Sequence, residues 1–85
     1  MKQKEIMDAK KKAKECLELF NIKVPMTKMN ILFFYIDTGC FLITFRDVRT
    51  DDIIQCHYMN NRYEVCKHIK NTGKTLVFKR GENND

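Results

Sequence analysis

The sequence predicts an α+β fold, with an N-terminal amphipathic helix packed on a mainly antiparallel sheet of about five strands in meander order. Three observations carry that prediction. Apolar residues recur at helical spacing only near the N-terminus; they alternate with polar residues through the second half; and three tight-turn sequences, Asp37-Thr38-Gly39, Asn60-Asn61 and Asn71-Thr72-Gly73, divide the rest into short runs. Residues 1–81 are expected to form one small domain, with an acidic, frayed tail at 82–85.

The helix is predicted over Lys2 to Phe20. Ile6, Ala9, Ala13, Cys16, Leu17 and Phe20 form one stripe at spacings of three and four, and lysines fill the opposite side. Asn21 suits the left-handed residue that ends a helix, and Pro25 prevents resumption. Residues Ile22 to Lys28 then act as a connector. Ile31 to Phe45 is predicted to fold at Asp37-Thr38-Gly39 into a hairpin. A three-residue turn with Gly39 left-handed sets Ile36 opposite Cys40 and Tyr35 opposite Phe41. Side-chain alternation then places Ile31, Phe33, Tyr35, Phe41, Ile43 and Phe45 on one face. Leu32, Phe34, Ile36, Cys40, Leu42 and Thr44 fall on the other.

Asp47 to Asp52 is a polar link. Ile53 to Met59 and Arg62 to Ile69 follow as strands joined by a type I′ turn at Asn60-Asn61, with Ile54, Cys56, Tyr58, Tyr63 and Val65 on the inner face. Gln55, His57, Arg62, Glu64 and His68 lie outside. A last strand, Lys74 to Arg80, carries Leu76 and Phe78 on one side. A competing reading starts a second helix at Thr50 or makes Tyr63 to Lys70 helical.

Composition narrows the function classes. The chain carries a net charge of +5, and Arg62 to Arg80 supplies the whole excess. With the helix lysines, the candidate surface for an anionic partner comprises Lys10, Lys11, Lys14, Arg62, Lys67, Lys70, Lys74, Lys79 and Arg80, and nucleic acid is the partner it would suit. The longest apolar run is broken by Asp-Thr-Gly, too short for a spanning helix, so no membrane partner is expected. The first residues lack the apolar core of a secretory signal, which predicts a cytoplasmic protein with Cys16, Cys40, Cys56 and Cys66 reduced. Lysine, asparagine and isoleucine are frequent and serine is absent. That usage fits an AT-rich genome, such as that of a phage, a virus or a mobile element.

No motif supplies a catalytic apparatus, and the chain is read as a non-enzyme without metal or cofactor. Asp37-Thr38-Gly39 matches the three-residue signature of aspartic proteases, but turn chemistry accounts for Asp and Gly, and Cys40 stands where a small residue is usual. Gly73-Lys74-Thr75 lacks the upstream glycine and the following helix of a phosphate-binding loop. Among Cys56, His57, Cys66 and His68, adjacent strand residues point to opposite faces, and no Cys-x-x-Cys knuckle is present. Cys66 and His68 have no orienting group to make a nucleophile and base.

One helix covers one sheet face, whereas the hairpin is apolar on both. Leaving six large side chains in water would forgo roughly 1.5–3 kcal/mol each, comparable to the stability of a small domain. Either face of the hairpin meets this requirement, and the candidate interface is the one made of Ile31, Phe33, Tyr35, Phe41, Ile43 and Phe45. The expected function is a non-enzymatic interaction protein, homodimeric, that binds and regulates or inhibits a larger macromolecular assembly. Direct nucleic-acid binding by the Lys/Arg surface is the alternative.

Overall fold

In the computed structural model, which describes residues 2–81, helix α1 (Gln3–Glu18) lies on one face of a sheet whose strands β1 (Met29–Asp37), β2 (Cys40–Asp47), β3 (Asp52–Met59), β4 (Arg62–His68) and β5 (Thr75–Gly81) follow in chain order. Every neighbouring pair is antiparallel. This is the predicted α+β meander. The sequences once open to a helical reading, after Thr50 and from Tyr63 to Lys70, form β3 and β4 with their connections. At 17 Å, the thinnest dimension admits a sheet and a single helix layer.

The helix buries the stripe its spacing requires. Ala9, Ala13, Cys16 and Leu17 are buried, and the two alanines allow the helix backbone a close approach to the sheet. Glu5 bonds back to the Lys2 N–H at 3.2 Å, closing the N-terminal turn. At the other end Asn21 takes φ 59, while its N–H reaches Glu18 O and the Ile22 N–H reaches Leu17 O, at 3.1 and 3.0 Å. These two bonds form a Schellman stop, with Ile22 and Leu17 both packed in the core. The helix crosses the sheet obliquely. Its first turns flank Phe34 and Ile36 of β1, Lys12 Nζ stands 5.5 Å above the Phe41 ring, and Phe20 meets Phe78 of β5 at 5.9 Å.

The first hairpin departs from expectation by one residue. Ile36 pairs with Phe41 and Asp37 with Cys40, so the turn has two residues, Thr38 and Gly39, with Gly39 at φ 87. Asp37 supports it by accepting the Thr38 N–H at 2.7 Å. A one-residue slip exchanges the faces of one strand relative to the other. Phe34 and Ile36 therefore fall on the helix side with Phe41, Ile43 and Phe45, Ile36 remaining exposed near the hairpin end, and Phe33 and Tyr35 turn to the other side. Leu32 is the extra residue of a β-bulge, which restores Ile31 and Met29 to the helix side.

The other strands follow the predicted register. Asn60 and Asn61 both take positive φ, 54 and 61, as a type I′ turn needs, and Tyr58 pairs with Tyr63. Gly73 takes φ 70 before β5. Ile43, Phe45, Ile54, Cys56 and Val65 are fully enclosed against the helix.

Two buried carboxylates fasten the sheet end that the sequence presents only as a polar link. Asp47 and Asp52 pair across β2 and β3 and are 2% and 5% exposed. Asp47 accepts the Arg49 backbone N–H and its guanidinium at 3.0, 3.1 and 2.9 Å, and Arg49 also reaches Lys23 O. The Arg49 side-chain bonds, opposed by burial, hold the Asp47 carboxyl below the ordinary carboxylate range. Asp52 accepts the Lys70 N–H at 3.0 Å, tying the β4–β5 connection to the β2–β3 turn.

Candidate interaction face

The side of the sheet away from the helix is built from alternate residues of all five strands. Registers place Phe33, Thr44, Gln55, Cys66 and Val77 side by side in one row, and Tyr35, Leu42, His57, Glu64 and Lys79 in the next. Beyond them Arg46, Ile53, His68 and Thr75 form a third row, and Cys40, Met59 and Arg62 lie towards the opposite end. Phe33, Tyr35 and Val77 are each more than half exposed, and Met59 nearly so. Leu42 and Ile53 are half-buried among their neighbours.

Apolar and polar character are segregated on this face. Phe33, Tyr35 and Leu42 occupy the β1–β2 side. Towards β5, Lys79 pairs with Glu64 at 3.5 Å, and His57 and Arg62 border the same shallow concavity. A second concavity at the end of the face is bordered by Arg46, His68, Lys70 and Thr75. There Arg46 and Lys70 converge on Asp51, and His68 Nδ1 lies 2.9 Å from Thr75 Oγ1. The Tyr35 O–H donates to Asp37 at 3.1 Å, and that carboxylate raises the phenol above its ordinary range.

The structure redistributes the predicted interface. Of Ile31, Phe33, Tyr35, Phe41, Ile43 and Phe45, only Phe33 and Tyr35 reach the open face. Phe41, Ile43 and Phe45 are core residues, and Ile31 packs partly buried against them. The slipped register is the cause, because alternation carries the β2 aromatics inward with Phe34 and Ile36. Leu42, Ile53, Met59 and Val77 join the face although none was singled out from sequence. The correct register of β3 and β4 could have found Ile53 and Met59, since both share parity with Gln55 and His57.

The basic residues do not form one patch. Lys10, Lys11 and Lys14 stand on the helix; Arg62 and Lys79 lie on the open face; Lys67 and Arg80 fall on the helix side; Lys70 and Lys74 belong to the β4–β5 connection. Arg80 is further committed to Leu19 O at 3.3 Å, and Lys79 to Glu64. Strand alternation is what separates Lys79 from Arg80.

The sulfur and histidine groups are likewise distributed. Among the described residues no group of three or more His, Cys, Asp or Glu is placed to hold a metal ion. Cys16 and Cys56 face each other inside the core, where their mutual hydrogen bond, burial and charge repulsion raise the Cys56 thiol. Burial, with Glu64 nearby, also raises Cys66. That is opposite to the shift an attacking thiolate needs. Among the described residues no helix is long and apolar enough to cross a membrane.

The fold and face define a two-layer α+β protein whose sheet is covered on one side. No family model matches the chain, and the comparisons with curated proteins and with solved structures return no match.

Proposed function

We propose that this chain is a non-enzymatic interaction protein of the cytoplasm that works as a homodimer and binds and regulates or inhibits a larger macromolecular assembly. The observation that supports this reading is the open sheet face, where Phe33, Tyr35 and Val77 remain more than half exposed beside Leu42 and Ile53. The apolar cluster of Phe33, Tyr35 and Leu42 over β1–β2, with Arg46, Glu64 and Lys79 on the rest of the face, has the make-up of a protein interface, an apolar patch with a charged margin. The source suggested by amino-acid usage, a phage, virus or mobile element, fits a small inhibitor of this kind. Light scattering on the purified protein tests the dimer, which is expected at about twice the chain mass, and a monomer at all concentrations overturns it. Affinity capture with the wild type and a Phe33→Lys, Tyr35→Lys variant, followed by reconstitution with purified components, tests the assembly.

A second reading is favoured by one feature of the face. Phe33 and Tyr35 share it with Arg46, Arg62 and Lys79, an arrangement able to stack unpaired bases and contact phosphates. An electrophoretic shift with a single-stranded oligonucleotide, lost in moderate salt and in Phe33→Ala, would establish it. No shift at low salt removes it.

A further inference from the structure

We infer that the open face is closed by a second copy of this chain, with the two-fold axis running across the strands at the level between the Phe33 and Tyr35 rows. The inference rests on the homodimer reading above and specifies its geometry. The two rows are neighbours, and each passes from an aromatic residue on β1 to a polar residue on β3. An axis between them sets Phe33 against Tyr35 of the other copy, Leu42 against Thr44, and Gln55 against His57, every contact occurring twice. One step outward, Ile53 meets Met59.

The position of the aromatics selects the axis. Phe33 and Tyr35 both lie on β1, so an axis across the strands stacks them on each other twice, while towards the β5 edge Cys66 meets Glu64 and Val77 meets Lys79. An axis along the strands would instead set Tyr35 against Lys79 and Leu42 against Glu64 and form no Phe–Tyr pair. Size agrees with the proposal. Five strands about 4.8 Å apart and about seven residues long at about 3.3 Å each give a flat footprint near 550 Å² per copy, or about 1,100 Å² in total. This passes the ~1,000 Å² that separates specific interfaces from incidental contact. The product is a helix–sheet–sheet–helix sandwich with the second apolar face enclosed.

The axis is tested by complementary variants. In sedimentation velocity the wild type is expected as a dimer, and Phe33→Lys and Tyr35→Glu each weaken it by at least about tenfold. An equimolar mixture of the two variants regains the dimer, because the introduced ammonium and carboxylate face each other once while the native aromatic pair forms on the opposite side of the axis. Circular dichroism melts verify folding, and a filtered NOE between Phe33 and Tyr35 rings in mixed labelled and unlabelled wild type reads the same contact without a variant. A monomeric wild type overturns both this inference and the homodimer. A dimer that both variants leave intact keeps the homodimer and overturns this face. Two monomeric variants that do not recover on mixing, with no filtered NOE, overturn the axis.

Discussion

The two faces of one sheet use the same strands and the same alternation, yet one is a core and the other a surface. Under the helix, Ile43, Phe45, Ile54, Cys56 and Val65 are fully enclosed and packed by Ala9, Ala13, Cys16 and Leu17. On the far side, Phe33 and Val77 stand half exposed at opposite ends of a row whose middle is Thr44, Gln55 and Cys66. The contrast teaches that hydrophobicity alone did not choose the inner face. β1 has large apolar residues on both parities, and what separates them is which parity also aligns Phe41, Ile43 and Phe45 with the inner residues of β3 and β4.

Removing a ring from the covered face should cost the most. Phe45→Ala is expected to destabilise the fold by about 3–5 kcal/mol in a urea or thermal melt, the usual result of truncating a buried aromatic. A loss below about 1 kcal/mol would show that this face is not the core.

The clasp at the end of the covered face is expected to matter less and to depend on pH. Asp47→Asn should cost about 1–3 kcal/mol near neutrality, because a buried charge-assisted set of bonds is weakened. The native carboxyl is held below its unfolded value, so between the two pKa values the unfolded chain binds more protons. The contribution is therefore complete above the unfolded value of about 4 and disappears as pH falls through the native one. Acid titration of stability should flatten in the variant; parallel acid limbs would refute the assignment.

Changes on the open face should scarcely affect the fold. Phe33→Ala is expected to shift chain stability by no more than about 0.5 kcal/mol under conditions where the protein is monomeric, while weakening association. A large loss there would reverse the roles of the two faces. The smallest effect is spectroscopic: the Tyr35 phenol should titrate above its ordinary value, and Asp37→Asn should bring it back down. An unmoved ultraviolet titration would show that the contact is not made in solution.

Much of this architecture was legible. The helix stripe, its stop at Asn21 and the Asn60-Asn61 turn each follow from local chemistry; the alternation from Ile53 to Ile69 favours strands over the competing helical reading, and strands are what form. The candidate face was legible as a need and misread in detail. The sequence assigns Phe33 and Tyr35 to an uncovered face and they stand on the open one, but it groups Phe41, Ile43 and Phe45 with them because both parities of the hairpin are apolar. A two-residue and a three-residue turn at Asp37-Thr38-Gly39 then look equally good. The buried pair Asp47 and Asp52 was invisible for a related reason, since aspartates in a polar link give no sign that Arg49 and the Lys70 N–H will enclose them.

By itself, the sequence determined the elements, their order and the antiparallel meander, because periodicity, turn residues and short connections act locally. It also determined that one helix could not cover all the apolar surface. Only the tertiary structure decided which side of β1 lies beneath that helix. Register is a choice between nearly equivalent alternations, and it is made where Ile43 and Phe45 meet Ala13 and Leu17 across the core.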